Sequence, residues 1–449
     1  MGAHNNSPRK FSTTLQHLFD LDPFSNSINN SFISKGIRKK PLDSENLDIL
    51  STISRCCVLF SFTNPSESYS DQELKRRGLI QLLGMVKSSD KPIPDQILRP
   101  LVSMLSVNLF RPLPASCSFT VNNLPEDEET VSTLVPAWPH LQLVYEILLR
   151  LVLNMDPKKL RDYIDDRFVL HLLCLFQSED PRERERLKNV YHRIYCRFTF
   201  YRSFMRKSMN DVFFCHIFET ESHCGISEML EIWGSIINGF TVPLKEEHKL
   251  FLMRVLIPLH KTKGMHVYHR QLAYCVSQFV QKEPAIGGLV IRAILRYWPV
   301  ASSQKEVLLI GELEELVEHV DPGQYRRLSL PICSQIARCL NSWNSQVAER
   351  ALYVWNNEQF VKMAFMSMEE VFPVVVEGME KNLKWHWNKS VKQLTENIKT
   401  MLEEVDPNLY EKCLEEMKFK NYLAGQEQAK RKQKWDRIES EAAKNVSPF

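Results

Sequence analysis

From about Leu47 to Glu404 the chain is a train of helical stripes, and that periodicity leaves few folds open. Apolar residues recur three and four apart, as in Leu47, Leu50, Ile53, Cys57 and Phe60. Side chains so spaced share one face of a helix. Breaks fall roughly every 15–25 residues, often at Pro or Gly. Strand-like alternation is rare and glycines number only 14 in 449 residues, so the chain reads as all-α. Helix pairs of about 40–47 residues are the repeat of a HEAT-like array, and residues 46–405 hold about eight of them. No literal repeat of sequence is visible, so the repeats are degenerate.

The flanks differ. Residues 1–45 are rich in Ser, Asn, Lys and Arg without periodicity and read as a flexible arm. Residues 406–449 read as a charged C-terminal helix and tail, with opposite charges at helical spacing. The basic clusters Arg9-Lys10, Arg38-Lys39-Lys40 and Lys430-Arg431-Lys432 read as solvated, with a targeting role as the alternative. Glu126-Asp127-Glu128-Glu129 reads as a solvated loop. Gly2 lacks the Ser or Thr at the sixth position that myristoylation wants; Asn6 stands there.

Charge and cysteines exclude several classes. Lys and Arg total 57 against 54 Asp and Glu, and a net +3 over this length is no footprint for nucleic acid or a membrane surface. No apolar run reaches membrane-spanning length, and the polar start is no signal peptide. Eleven scattered cysteines without a CxxC or a Cys/His cluster read as reduced thiols in cytosol or nucleus, not as a zinc site.

The chemistry of catalysis is also missing. There is no GxxxxGK[ST], HExxH or GxSxG, and Gly287-Gly288 has no phosphate-loop frame. His266, His269 and His386 read as structural, and Trp385 and Trp387 beside His386 as buried packing. Glu312, Glu314, Glu315 and Glu318 read as a solvated or partner-facing acidic face. The expectation is a non-enzyme with no catalytic residue, no cofactor and no metal.

One stretch carries more than a core stripe. Between Arg182 and His248, Ile226, Met229, Leu230, Trp233, Ile237 and Phe240 make one buried face of a helix. Ile232 and Ile236 sit about 70–110° off its centre, a second apolar strip that the core does not need. On the preceding helix Leu187, Val190, Ile194, Phe198, Tyr201 and Met205 form the buried stripe. Lys188, His192, Tyr195, Thr199, Arg202 and Arg206 lie about 120° away, and Lys245 and His248 follow behind Pro243. An apolar pair beside a basic stripe suits a short peptide with hydrophobic anchors and acidic or phosphorylated residues. A solvated basic face, with the isoleucines packed on a neighbouring helix, is the plainer alternative.

Particular strings carry a resemblance. HIFETESHCGISEMLEIWGSIINGFTVPLKEEHKLFL, AWPHLQLVYEILLR, SEDPRER, YHRQLAYCVSQF, LRYWPVASSQKEVLLIGELEELVE, QVAERALYVWNNE and HWNKSV resemble the B-prime family of regulatory subunits of protein phosphatase 2A, over nearly all of residues 47–440. The resemblance implies a curved superhelical solenoid of HEAT-like repeats. It implies docking on the phosphatase scaffold subunit, contact with the catalytic subunit, and selection of substrates through LxxIxE-type short motifs. By resemblance the motif groove is built from His192, Arg193, Tyr195, Arg202, Arg206, Glu231, Ile232, Ile236, Lys245 and His248. Arg193 lies off the basic stripe of a straight helix, so its place rests on the resemblance alone. Trp233, Cys196 and Arg270 depart from the family's common residues, and Trp233 is expected in a repacked interior. An adaptor that binds proteins independently of the phosphatase is the alternative reading.

Overall fold

The computed structural model describes residues 42–62, 67–88, 93–113, 134–220 and 223–445. Residues 1–41 of the expected flexible arm, with Gly2 and its basic clusters, and the acidic run at 126–129 lie outside the described residues; residues 42–45, expected in the arm, already belong to a helix. All regular structure among the described residues is helical. Packing divides the chain into two compact units, Met1–Met209 with Glu231–Ile236, and Asn210–Leu230 with Ile237–Phe449.

In the first unit, α1 (Leu42–Cys56) packs on α2 (Tyr69–Lys87) and α3 (Asp95–Leu109). Next, α4 (Trp138–Asn154) packs on α2 and α3, and α6 (Pro181–Arg197) on α4 and on α5 (Asp166–Cys174). The start of α6 is fixed by the SEDPRER string. Pro181 occupies the first turn, where its missing N–H costs nothing. Asp180 accepts the Arg182 N–H at 2.9 Å and the Val135 N–H at 2.8 Å. Beneath it the fully buried Glu183 takes two bonds from Arg111, at 2.9 and 2.7 Å, and one each from the Tyr145 and Ser178 hydroxyls. A buried carboxylate is tolerable only when so fully satisfied.

The second unit stacks helices in alternation. After α7 (Arg202–Cys215), which begins in the first unit, and α8 (Ile226–Asn238) comes α9 (Glu246–Phe251), prolonged through a π turn into Ile257–Leu259. Then follow α10 (Met265–Lys282), α11 (Gly287–Arg296), α12 (Ser303–His319), α13 (Tyr325–Leu340), α14 (Ser345–Tyr353), α15 (Glu358–Phe365), α16 (Met368–Trp385), α17 (Lys389–Val405) and α18 (Pro407–Asn445). Within the unit α10 packs on α12, α11 on α13, α12 on α14, α13 on α16 and α14 on α17. Each helix thus meets the corresponding helix of the next pair, as HEAT-type stacking requires. Asn344, Asn357 and Asn388 accept the first free N–H groups of α14, α15 and α17. No helix among the described residues is long and apolar enough to cross a membrane.

Three sequence expectations are corrected here. The acidic face of α12 is solvated only in part: Glu315 and Glu318 are exposed, but Glu312 and Glu314 are not. Glu312 is buried and bonded by His260 (3.1 Å) and His269 (2.8 Å), while Glu314 pairs with Arg350 and Glu318 with Asn357. Those carboxylates tie neighbouring helices together. Trp385 and Trp387 are not buried packing; they are 66% and 61% exposed at the rim of the stack, and only His386 between them is enclosed. The apolar periodicity of the sequence also predicts one helix over Val361–Met379, and it is broken at Met366-Ser367, between α15 and α16.

Candidate functional site

The straight helix expected from Leu187 to Met205 is two helices. All six stripe residues are buried as expected, but α6 ends at Arg197, Phe198 takes φ −94° and ψ 74°, and a 3-10 turn, Thr199–Tyr201, leads into α7. The last carbonyls of α6 are then left without helical partners. Arg202 folds back and supplies them: its Nε donates to the Tyr195 carbonyl at 3.1 Å and its Nη2 to the Cys196 carbonyl at 2.9 Å. A cation at a helix C-terminus is also favoured by the helix dipole. The same guanidinium lies 5.6 Å from the Tyr195 ring centroid, and Arg206 donates to the Tyr195 hydroxyl at 3.1 Å. Tyr195 is therefore pinned at ring, carbonyl and hydroxyl.

Arg193 stands one turn before the end of α6, and Arg193 and Arg202 both bear on the Cys196 thiol, whose pKa is raised by burial against the pull of the two guanidiniums. Among the described residues no carboxylate pairs with Arg193, Arg202 or Arg206.

The rest of the expected basic stripe is not basic surface. Lys188 is buried, with its ammonium 2.5 Å from Glu231 and 2.7 Å from Glu185. Burial opposes its charge, but the two carboxylates outweigh that and raise its pKa. His192 shares 2.9 Å with the Ser235 hydroxyl. Burial, with Arg193 and Lys188 beside it, pushes its pKa down to about 4, so it is a neutral hydrogen-bonding group at pH 7.

Those two bonds join α6 to α8 and decide the fate of the isoleucines. Glu231 and Ser235 each precede an isoleucine, so the seam that they make closes over both. Ile232 is 0% exposed and Ile236 is 6% exposed. The strip expected to lie outside the core is thus enclosed, with Ile236 at its edge. Trp233 is buried, as expected of a repacked interior. Lys245 and His248 belong to the second unit. Lys245 is exposed just before α9, and His248 stacks on Phe240 with ring centroids 3.6 Å apart.

Sequence reading missed this geometry for two reasons: the local fold-back of Arg202 across an unmarked helix break, and the long-range partners of Lys188 and His192 on α8. No group of three or more His, Cys, Asp or Glu among the described residues could hold a metal ion. The first unit carries a cationic, aromatic-walled patch in which Arg202 and Arg206 surround Tyr195. Residues 27–442 match the sequence model of the family described as protein phosphatase 2A regulatory B subunit (B56 family). The chain is 46% identical over 409 residues, 90% of its length and 82% of the relative's, to the B' beta isoform of the 57 kDa regulatory subunit of serine/threonine protein phosphatase 2A from Arabidopsis thaliana. It is 40% identical over 403 residues, 89% of its length and 79% of the relative's, to the 57 kDa B' kappa isoform from Oryza sativa subsp. japonica. The chain belongs to the B56 family of protein phosphatase 2A regulatory subunits.

Proposed function

We propose that the chain docks on the scaffold and catalytic subunits of protein phosphatase 2A and selects substrates by holding LxxIxE-type motifs on the α6–α7–α8 surface of the first unit. The observation that carries the reading is the pair Arg202 and Arg206 on Tyr195, with Arg193 bearing on the neighbouring Cys196: three guanidiniums without a carboxylate partner among the described residues. Guanidiniums kept together without counter-charges suit an acidic ligand. The motif glutamate and flanking phosphates would take charge-assisted bonds from them. The motif's aliphatic side chains would rest between the Tyr195 wall and the Ile236 edge, each worth about 1.5–3 kcal/mol when fully buried. Ile232 supports that floor from beneath, since it has no surface of its own to offer.

The test has two arms. A fluorescent LxxIxE peptide should bind at micromolar affinity or tighter, weaken as salt is raised, and lose most binding on Arg193→Ala or Ile236→Ala. Unchanged affinity in both variants sinks the groove. Separately, the chain should capture purified scaffold and catalytic subunits; peptide binding without that capture would mark an adaptor that works apart from the phosphatase.

A further inference from the structure

The proposed groove contains a carboxylate that looks out of place. A surface meant for acidic peptides holds Glu231, whose side chain is 11% exposed, one helical turn from Ser235 and His192. Water screens so enclosed a charge poorly, and left alone it would repel the ligand. The structure supplies a counter-charge. Lys188 comes up from α6 and sets its ammonium 2.5 Å from Glu231, itself 6% exposed at the side chain. Its second partner, Glu185, is 53% exposed and so largely screened by water. The enclosed charges of this pair therefore sum to zero.

We infer that Lys188 is a charge-compensating residue of the groove: it hides the Glu231 carboxylate from acidic ligands instead of touching them. The inference rests on the groove reading above. It differs from a purely mechanical role, in which the Lys188–Glu231 bond only clasps α6 to α8. The two roles separate by ligand charge. A clasp serves every ligand equally; a compensator matters only when the ligand is anionic.

The experiment uses the full-length chain and two fluorescent peptides, Leu-Ala-Ala-Ile-Ala-Glu and the same peptide ending in Gln, each within neutral flanks. Lys188→Met should weaken the Glu peptide about tenfold more than the Gln peptide. That is the effect of one uncompensated unit charge at roughly 10 Å and an effective dielectric of about 20, reduced by screening. Lys188→Met with Glu231→Gln, which removes both charges, should restore the Glu peptide to within about threefold of the original chain. Glu231→Gln alone leaves no enclosed carboxylate unpaired, so it keeps the test alive if Lys188→Met does not fold; it should strengthen binding of the Glu peptide relative to the Gln peptide, and an equal change in both overturns compensation. Equal losses for both peptides, or a double variant as weak as the single, overturn compensation in favour of the clasp. A chain that binds neither peptide overturns the groove reading and this inference with it, whereas intact binding with equal losses overturns the inference alone.

Discussion

Arg202 offers the sharpest test of how the site is built, because one guanidinium does two jobs. Two of its five N–H groups are spent on the Tyr195 and Cys196 carbonyls, which leaves three to face a ligand. Arg202→Lys keeps the charge but not the fork: one ammonium cannot bridge both carbonyls, flank the Tyr195 ring and also point outward. Loss of the C-terminal cap is worth about 0.3–1 kcal/mol and loss of the exposed cation–π contact about 0.5–1 kcal/mol, so stability should fall by about 1–2 kcal/mol. Binding should fall further. A charge-assisted bond is worth about 1.5–3 kcal/mol, and a Tyr195 wall no longer held at its carbonyl adds to the loss, so affinity for a glutamate-bearing peptide should drop roughly tenfold to a hundredfold. Urea midpoints and fluorescence polarisation on the same preparations measure the two effects. If Arg202→Lys binds as the original chain does, charge alone suffices and the fold-back geometry has no bearing on recognition.

Other predictions follow from the packing. Glu312→Gln removes the counter-charge of a buried pair and should destabilise by about 3–5 kcal/mol, read as a lowered urea midpoint. The same pair sets a pH dependence. Burial opposes the Glu312 charge, but His260 and His269 hold its pKa down to about 2, so its contribution is present above about 4.5 and is lost as pH falls towards 2. Glu312 outweighs burial to raise His260, so that contribution is present below about 6.5 and is lost as pH rises through the raised value; Glu312→Gln should flatten both limbs. His192, depressed to about 4, refuses a proton that the unfolded chain accepts below about 6.5; stability should fall across that window, and an NMR titration midpoint near 6.5 would show an open, hydrated site. Gly287→Ala would set a Cβ 2.4 Å from Val320 Cγ2 at the start of α11 and should cost about 1–3 kcal/mol by overpacking, measured as a lowered urea midpoint.

What the sequence made legible was the part of the fold that is local. The six buried positions from Leu187 to Met205 follow from spacing alone, and all are enclosed. The break among them was invisible, because neither Pro nor Gly marks it: Phe198 leaves the helix and Arg202, four residues on, closes the end from outside. Reading Lys188 and His192 as basic surface failed for a similar reason. Their character is set by Glu231 and Ser235, 43 residues away in both cases. A wheel sees one helix; it cannot see which polar group the next repeat will bring.

That separation of 43 explains why the repeats escape the eye. Several polar links between neighbouring helix pairs fall 39 to 44 residues apart: 43 for His269–Glu312 and for Lys305–Thr262, 42 for Asn382–Leu340, 44 for Trp387–Trp343 and 39 for Asn357–Glu318. The spacing is that of a HEAT-type unit, yet the bonded types differ at every joint: ammonium to carboxylate, imidazole to carboxylate, amide or indole to backbone. What repeats is therefore the place where one unit must satisfy the next, while the residue that does so is free to vary. The candidate groove lies at one such joint, between α6 and α8. There the links are an ion pair and a neutral imidazole, so on the groove reading proposed above a structural seam also bears on the charge that a ligand meets.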